Sequence, residues 1–316
     1  MRITLTGAAG FIGSHTCKRL LDQGHEIVGI DNYDPFYDRG IKQKNLEALI
    51  EHPNFTFKEI DFRFADQLQE LEGSDMLIHL AAKAGVLPSK KDPSGYVETN
   101  IGGTMNLLEW MRSRDMKKLL FASSSSVYGN NKKIPFNEDD FVGEPISPYA
   151  FTKRSCELMN HSYHHLYDFD ILNLRFFTVY GPAQRPDLAI HKFVRLFDEG
   201  KTIQMYGDGT TARDYTYVQD TVTGIVSAVK YLQEHDNVFE IINLGNNQPV
   251  KLKILIDSIA EAMNITPKIE QVPPKSGDVD ITFADISKAK ELLNYNPQTS
   301  LQEGLKNFLE WYEHNR

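Results

Sequence analysis

The chain has little cysteine, no long apolar run and no cluster of positive charge. Cys17 and Cys156 are the only cysteines among its 316 residues, and neither stands in a C-x-x-C pair. Neither a disulfide framework nor a cysteine zinc site is therefore indicated. No apolar run reaches the roughly twenty residues that a membrane span needs, and the opening residues MRITLTGAAG carry no apolar signal segment. We therefore expect a cytoplasmic protein that does not bind a membrane.

The balance of charge excludes further classes of partner. Lys and Arg number 34 whereas Asp and Glu number 43, which gives a net charge of −9. An acidic chain without a basic block is a poor candidate for binding nucleic acid or anionic lipid. A few local cations would have to hold any anionic ligand against the overall charge.

Short apolar segments alternate with segments of helical length over the first two thirds of the chain. We predict strands at residues 3–6, 26–31, 55–61, 76–80, 118–123, 171–176 and 239–244, and helices at 12–23, 93–114 and 148–167. This alternation predicts an α/β fold in which helices cover both faces of a parallel sheet. Ligands of such sheets bind at the carboxyl ends of the strands.

The alternation ends near residue 180, where segments rich in Pro, Gly and charge begin. Residues 181–211 and 267–277 have this composition. We interpret them as parts of a smaller lobe. The predicted division is one domain of residues 1–180 with about 213–247, and a smaller lobe of 181–212 and 248–316.

A glycine-rich loop follows the first predicted strand, with glycines at Gly7, Gly10 and Gly13. A strand, a tight turn and a helix N-terminus form a site for a pyrophosphate, because free N–H groups and the helix dipole face the anion. The G-x-x-G-x-x-G spacing differs from the usual G-x-G-x-x-G, so a turn kept for packing is the alternative. Asp31 ends the second strand and can accept hydrogen bonds from an adenosine ribose. It would repel a 2′-phosphate, which favours NAD over NADP.

A serine cluster and a Tyr-Lys pair point to proton chemistry. Residues 123–129 read SSSSVYG after an apolar strand, and Tyr149 and Lys153 lie four residues apart in a predicted helix with Ser147 as its N-cap. A tyrosine with a pKa of about 10 is a poor base at neutral pH. We expect the Lys153 ammonium to lower the pKa of Tyr149.

These motifs together are similar to those of the extended short-chain dehydrogenase/reductase family, over essentially the whole chain. The segments ETNIGGT and ARDYTYVQD add to the resemblance. It implies a doubly wound parallel sheet of the Rossmann type with a smaller C-terminal α/β substrate lobe, NAD in the Rossmann domain and a nucleotide sugar between the lobes. Family members often dimerise through the helices predicted at 93–114 and 148–167, so the resemblance implies a homodimer.

The resemblance also implies residue roles. Ser124 and Tyr149 would hydrogen-bond the reacting sugar hydroxyl, while Lys153 would bind the nicotinamide ribose. Ser124, Tyr149 and Lys153 are the implied catalytic residues. The implied cofactor-binding residues are Gly7, Gly10, Phe11, Ile12, Gly13, Asp31, Asn32, Asp61, Phe62, Leu80, Ala81, Ala82, Lys83, Asn100, Tyr149, Lys153 and Phe176.

The serine cluster lacks an acid, and this absence narrows the reaction. Family members that dehydrate a sugar carry Asp and Glu at the positions of Ser125 and Ser126, and those that decarboxylate UDP-glucuronate carry Glu just before V-Y-G. Without an acid there, oxidation at C4 of the sugar can be followed only by reduction. Return of hydride to the other face would give 4-epimerisation. For Ser125, an ordinary strand-end hydroxyl is the alternative.

Two segments, 31–46 and 175–193, resemble the UDP-glucuronate 4-epimerase subfamily, which has R-P-D-x-A after V-Y-G-P. The resemblance implies that Arg185 pairs with the C6 carboxylate of the sugar, which suits the planar guanidinium. A solvated loop charge is the alternative for Arg185. The implied substrate-binding residues are Ser125, Ser126, Thr178, Arg185, Lys192, Arg213 and Asp278, of which Lys192 and Arg213 would approach the diphosphate and Asp278 the uridine ribose.

Three other functions stay open at this point. A UDP-glucose or UDP-N-acetylglucosamine 4-epimerase would leave Arg185 without a carboxylate, a UDP-glucuronate decarboxylase would lack its Glu, and a silent family member would only bind a nucleotide sugar. No metal site is expected, because no carboxylate completes a set with His161, His164 and His165. The apolar stripe of the 93–114 helix, which includes Trp110, is interpreted as core or dimer contact.

Overall fold

A parallel sheet of seven strands forms the centre of the structure, a computed structural model that describes residues 1–273 and 279–315. The described residues form this sheet and two smaller ones. Their strands, in chain order, are β1 (Arg2–Thr6), β2 (Glu26–Asp31), β3 (Phe55–Glu59), β4 (Met76–His79), β5 (Lys118–Ser124), β6 (Asp170–Phe176), β7 (Thr178–Tyr180), β8 (Ile203–Tyr206), β9 (Ala212–Tyr217), β10 (Phe239–Leu244), β11 (Pro249–Lys251) and β12 (Ile269–Val272). In the large sheet the order is β3-β2-β1-β4-β5-β6-β10, and every neighbouring pair is parallel. The order reverses between β1 and β4, and the crevice at such a switch point is where ligands bind.

Helices connect the strands and cover the sheet. They are α1 (Phe11–Asp22), α2 (Arg39–Ile50), α3 (Ala65–Leu68), α4 (Val86–Lys91), α5 (Pro93–Tyr96), α6 (Gly103–Ser113), α7 (Pro148–Tyr167), α8 (Ala189–Asp198), α9 (Val218–Glu234), α10 (Leu252–Ala262), α11 (Ser287–Leu293) and α12 (Leu301–Asn315). A π-helical segment, Val97–Gly102, joins α5 to α6, and a 3₁₀ turn, Ser125–Tyr128, follows β5. Among the described residues, no helix combines the length and the apolar content that crossing a membrane requires.

Apolar side chains cover both faces of the large sheet. On one face, Ile3 and Leu5 of β1 belong to the same buried cluster as Leu20 of α1. On the other face, Leu77 of β4 shares a cluster with Leu107 of α6. A fully buried Leu or Ile contributes about 1.5–3 kcal/mol to folding, so each covering helix is held by its apolar side chains. The predicted doubly wound α/β fold is confirmed.

The smaller lobe contains two small sheets and its own core. One sheet has the order β11-β9-β7 and the other pairs β12 with β8. Their core includes Tyr180, Ile190, Val194, Leu255 and Phe308. The predicted division of the chain stays a prediction, and sheet membership crosses its boundary, because β9 lies almost entirely in the first predicted domain and pairs with β11 of the smaller lobe.

The predicted helix over residues 93–114 is interrupted, which corrects the sequence-based boundary. Pro93 begins the short helix α5, whose N-cap Asp92 accepts a hydrogen bond from the Gly95 N–H at 3.0 Å. The π-helical segment then separates α5 from α6 and contains Asn100. Such π-helical turns are frequent at functional sites. The apolar stripe of α6 is core, since Trp110 is 1% exposed.

Candidate active site

A cleft of about 440 Å³ lies at the carboxyl ends of the parallel strands, a volume within the range of small-molecule sites. Predicted site residues that line it are Gly7, Gly10, Phe11, Ile12, Gly13, Asp31, Asn32, Phe62, Leu80, Ala81, Ala82, Lys83, Ser124, Ser125, Ser126, Tyr149, Lys153, Phe176, Thr178, Arg185 and Arg213. Residues from both lobes therefore meet in one cavity, since Thr178 belongs to β7 and Arg213 to β9.

Three predicted site residues do not line this cavity. Asn100 is buried behind Lys83: its side-chain oxygen accepts the Lys83 N–H at 2.9 Å, and its amide group donates to the Lys83 carbonyl and to Thr152. Asp61 accepts hydrogen bonds from Arg63 and Asn32. Lys192 lies exposed on α8. Asp278 lies outside the described residues.

The structure places Asn100 behind the wall of the cavity, and its role toward the cofactor stays a prediction. Its polar groups are occupied by the loop that carries Lys83 and by the helix of Tyr149, so it supports the cavity wall instead of facing the cavity. Asp61 likewise shapes the loop after β3, because its carboxylate accepts the backbone N–H of Arg63 at 3.0 Å. Asn100 is fixed by distant neighbours that local sequence patterns do not reveal, whereas Asp61 is fixed in part by Arg63, two residues along the chain.

The glycine loop leaves bare backbone at the N-terminus of α1. Gly7 has a φ of +75°, which favours glycine. A Cβ on Gly13 would lie 1.9 Å from the Gly7 carbonyl oxygen, so α1 packs too closely on the loop for any side chain there. Gly10 is the N-cap and brings no side chain to satisfy the first N–H groups of the helix. The loop therefore fits a pyrophosphate, as the spacing predicts.

Asp31 lies beside a lysine that the sequence did not single out. The Asp31 carboxylate accepts the Tyr33 N–H at 2.8 Å, and Lys42 Nζ of α2 lies 3.7 Å from it. Burial raises the pKa of Asp31, and the Lys42 charge opposes that rise. Lys42 is 6% exposed and also donates to the Asp34 carbonyl at 3.0 Å. A hydrogen-bonded carboxyl group is thus held beside a lysine at the end of β2, where a ribose diol would meet it.

Ser124 and Tyr149 are brought together by a strand end and a helix start. Ser124 caps the 3₁₀ turn after β5, since its hydroxyl accepts the Ser126 N–H at 3.2 Å. The predicted N-cap is observed: Ser147 Oγ accepts the Ala150 N–H at 3.1 Å, and Tyr149 stands in the first turn of α7. Ser124 and the Tyr149 hydroxyl are hydrogen-bonded, and this bond lowers the pKa of Tyr149.

Lys153 is buried and points to the strand carrying the serines. Its Nζ donates to the Ala122 carbonyl at 2.7 Å and lies 4.8 Å from the centre of the Phe121 ring. Burial lowers the pKa of Lys153 to about 8. Burial raises the pKa of Tyr149, while the Ser124 hydrogen bond and the Arg185 charge lower it. The expected lowering by Lys153 is not confirmed, because Lys153 is directed at Ala122.

A buried ion pair behind these residues was not predicted. Arg175 of β6 binds the Glu157 carboxylate of α7 through Nε and Nη2, both at 2.9 Å. Glu157 also accepts the Ser123 hydroxyl at 2.6 Å, and Arg175 Nη1 donates to the Tyr128 hydroxyl at 2.9 Å. Arg175 and Glu157 are both 0% exposed in their side chains. This network joins α7, β5 and β6 directly beneath Ser124 and Lys153.

Arg185 supplies a positive charge to the cleft. Its guanidinium carbon lies 5.1 Å from the centre of the Phe36 ring, and it binds Asp187 through Nε and Nη2 at 2.9 and 2.8 Å. Its side chain is 18% exposed. Ser126 Oγ also lies in the cleft wall and has no hydrogen-bond partner among the described residues. The Arg185 guanidinium and the unpaired Ser126 hydroxyl are therefore available to bind a polar ligand in the cleft.

A family model matches most of the chain: residues 3–245 match the NAD dependent epimerase/dehydratase family. The chain belongs to this family. It is 46% identical to an uncharacterized protein of Methanocaldococcus jannaschii, over 99% of this chain and 97% of that one. It is 43% identical to a UDP-glucuronate 4-epimerase of Thermodesulfobacterium geofontis, over 98% of this chain and 96% of that one. The structure of UDP-glucuronic acid 4-epimerase from Bacillus cereus, in complex with UDP-glucuronic acid and NAD, matches with a TM-score of 0.93 and 36% identity over 100% of both chains.

Membership of the NAD dependent epimerase/dehydratase family establishes the cofactor as NAD. The cavity fits it, because the side-chain-free loop of Gly7 and Gly13 leaves room for a pyrophosphate and Asp31 stands at the end of the neighbouring strand. Among the described residues, no group of His, Cys, Asp and Glu is arranged to hold a metal ion. His164 instead hydrogen-bonds the Phe169 carbonyl at 2.7 Å.

Proposed function

We propose that the enzyme catalyses the NAD-dependent 4-epimerisation of UDP-glucuronate to UDP-galacturonate through a transient 4-keto sugar. The observation that carries this proposal is the Arg185 guanidinium in the same cleft as Tyr149, close enough to lower its pKa. The identities to the epimerases of T. geofontis and B. cereus support it. A carboxylate on the substrate would be the natural partner of that guanidinium in a chain that is acidic overall.

In this proposal Tyr149 is the base that takes the proton of the sugar 4-hydroxyl. Ser124 holds that hydroxyl and, with the Arg185 charge, favours the phenolate. Lys153, buried beside the strand end, binds the nicotinamide ribose. NAD, when bound, accepts hydride from C4 and returns it. The serines at 125 and 126 offer no acid or base for elimination, so reduction is the remaining course for the ketone.

Arg185 has a second task in this proposal. The 4-keto form of a uronic acid is a β-keto acid, which loses carbon dioxide when the breaking C–C bond aligns with the carbonyl π system. Charge-assisted hydrogen bonds from Arg185, with Ser126 and Thr178 nearby in the cleft, would hold another orientation. An Arg185→Ala variant should release carbon dioxide where the parent releases none. Identical partitioning would contradict this task.

The remaining nucleotide contacts are proposals on the same basis. Arg213 lines the cleft, and we propose that its positive charge meets the diphosphate there. Asp61 and Asn100 are proposed to contribute to cofactor binding from behind the cavity wall. Lys192 would have to turn in from α8 to meet a phosphate. Asp278 is proposed to accept from the uridine ribose.

A homodimer is proposed through α6 and α7. Met105 of α6 is 40% exposed, and Leu158 and Leu166 of α7 are 54% and 63% exposed. Large apolar side chains at the surface of two adjacent helices are typical of an interface. Light scattering on the purified protein should give twice the 36.0 kDa chain mass. Leu158→Asp should then give the mass of one chain.

The proposed function is tested by incubating the purified protein with UDP-glucuronate and no added NAD, and following the products by NMR. We expect UDP-galacturonate without carbon dioxide, because each turnover regenerates the bound cofactor. If UDP-glucuronate stayed unchanged with NAD supplied while UDP-glucose epimerised, the neutral-sugar alternative would be right. Formation of UDP-xylose would indicate the decarboxylase.

A silent family member is excluded or established by one variant. Tyr149→Phe keeps the ring that packs against Tyr96 and removes only the hydroxyl. Loss of a general base lowers the rate by about 10²–10⁴-fold. An unchanged rate in Tyr149→Phe would show that Tyr149 is not the base, and no turnover of any UDP-sugar by the parent would favour the silent function.

A further inference from the structure

Asp187 holds Arg185 by one edge of its guanidinium. A guanidinium carries five N–H groups. Asp187 takes one from Nε and one from Nη2, at 2.9 and 2.8 Å, in a bidentate arrangement. The other edge, formed by Nη1 and Nη2, has no hydrogen-bond partner among the described residues. Arg185 lines the cleft, while Asp187 does not.

The face of the guanidinium is also held. Phe36 lies against it, with 5.1 Å between the guanidinium carbon and the ring centre. The turn that carries the pair is closed by the hydrogen bond from Leu188 N–H to the Arg185 carbonyl at 3.2 Å. One face and one edge of the guanidinium are thus fixed by the protein, so the open edge has a defined direction.

We propose that Asp187 is a positioning residue for the uronic-acid carboxylate. By holding Nε and Nη2, it presents the Nη1–Nη2 edge of Arg185 to the substrate carboxylate in one orientation. This inference rests on the proposed function, because it assigns to Asp187 the control of how that carboxylate lies. Asp187 adds no affinity, since a second anion on one guanidinium weakens its attraction for the first.

The orientation matters after the sugar has become a ketone at C4. In the unwanted step, the C5–C6 bond breaks and its electron pair forms the C4–C5 double bond of an enolate. Carbon dioxide leaves, and the enolate oxygen takes a proton. The step needs no oxidant or reductant. A guanidinium free to rotate with the carboxylate would let the C5–C6 bond reach the reactive alignment more often.

The test compares Asp187→Ala and Asp187→Asn with the parent on UDP-glucuronate labelled with ¹³C at C6. The ratio of labelled carbon dioxide to labelled UDP-galacturonate is read by ¹³C NMR. Glu199→Ala is the matched control, because Glu199 is 40% exposed, against 41% for Asp187, and binds Lys201 at 2.7 Å. Glu199 lies outside the cleft, at the end of α8.

We expect the ratio in Asp187→Ala to exceed the detection limit by about tenfold or more, and the ratio in Asp187→Asn to exceed it by less, because the amide oxygen of Asn still accepts one N–H. The control and the parent should stay at the detection limit. KM for UDP-glucuronate should change by less than about threefold in either variant, because the open edge still binds.

Three results would overturn the proposal. An unchanged ratio in Asp187→Ala, with active parent, would make Asp187 a solvated loop acid and leave the proposed function intact. A lower KM with an unchanged ratio would mean that Asp187 competes with the substrate for Arg185. A parent that epimerises only neutral UDP-hexoses would remove both the proposed function and this inference.

Discussion

Two arginines of this molecule bind a carboxylate through the same two nitrogen atoms, Nε and Nη2. For Arg175 the partner is Glu157, and both side chains are 0% exposed. For Arg185 the partner is Asp187, and the side chains are 18% and 41% exposed. The two pairs differ in what meets Nη1: Arg175 donates to the Tyr128 hydroxyl at 2.9 Å, whereas Arg185 has no such partner among the described residues.

This difference separates a structural pair from a binding pair. All three side-chain nitrogens of Arg175 donate inside the protein and its side chain is fully buried, so it connects β6, α7 and the turn after β5 and does not meet a ligand. Arg185 keeps one edge for the cleft and pairs with a carboxylate that water can reach. We therefore expect changes at the Arg175 pair to act on stability and changes at the Arg185 pair to act on activity.

The largest effect on stability should come from Glu157→Gln. It leaves the Arg175 guanidinium buried without a counter-charge, and removal of one partner of a buried pair costs about 3–5 kcal/mol. Urea unfolding measures the loss. The control is Glu199→Gln, an exposed ion-paired acid, which should change the free energy of unfolding little. A loss below about 1 kcal/mol in Glu157→Gln would place this pair in the class of surface pairs.

Arg185→Gln should lower activity and leave the stability of the fold nearly unchanged. Hydrogen bonds from a charged donor contribute about 1.5–3 kcal/mol, so kcat/KM for UDP-glucuronate should fall about 10–150-fold. The free energy of unfolding should stay near that of the parent, because Asp187 remains solvated. Steady-state kinetics and urea unfolding on one preparation check both expectations. A large loss of stability with unchanged kcat/KM would reverse the comparison.

The difference in stability between the parent and Glu157→Gln should depend on pH. The Arg175 guanidinium and the Ser123 hydroxyl outweigh the cost of burial and hold the pKa of Glu157 below its usual value. A carboxyl with a lowered pKa stabilises the fold above its unfolded pKa of about 4.3 and loses that effect as pH falls through the folded value. Thermal unfolding between neutral pH and that acid range should show the stability gap closing. A constant gap would contradict the charge-based account.

The smallest effect should come from Arg154→Ala. Arg154 donates to the same Glu157 carboxylate at 3.0 Å, but its side chain is 28% exposed. Exposed pairs typically contribute about 0.2–1 kcal/mol. Since Arg175 still neutralises Glu157, the loss in urea unfolding should stay within that range. A loss as large as that of Glu157→Gln would mean that the network depends on both arginines equally.

The sequence predicted the elements that local patterns determine. The strands at 26–31 and 239–244 and the helix at 148–167 have the predicted bounds, since apolar alternation and the Ser147-Pro148 start are local signals. Residues of the glycine loop and the Tyr-Lys pair line the cavity as expected, whereas many other lining residues were implied only by the family resemblance. Helix α9 was missed, although Val218, Val222, Ile225 and Val229 carry the apolar spacing of a buried helix face.

The sequence did not predict the pairings between distant elements. Glu157 and Arg175 lie on a helix and a strand that meet only in the folded chain, and Lys42 approaches Asp31 from α2. Asn100 was expected in the cavity, but the π-helical segment turns it toward Lys83 and Thr152. These side chains are located by packing, for which no local spacing is a signal.

A crystal structure of Tyr149→Phe with UDP-glucuronate would show which edge of Arg185 the sugar carboxylate meets, because that variant should hold the substrate unreacted. We predict that the sugar carboxylate lies about 2.7–2.9 Å from Nη1 and Nη2 of Arg185. Asp187 should remain on Nε. A carboxylate bound away from Arg185, or one that has displaced Asp187, would contradict the distinction between the closed and the open arginine.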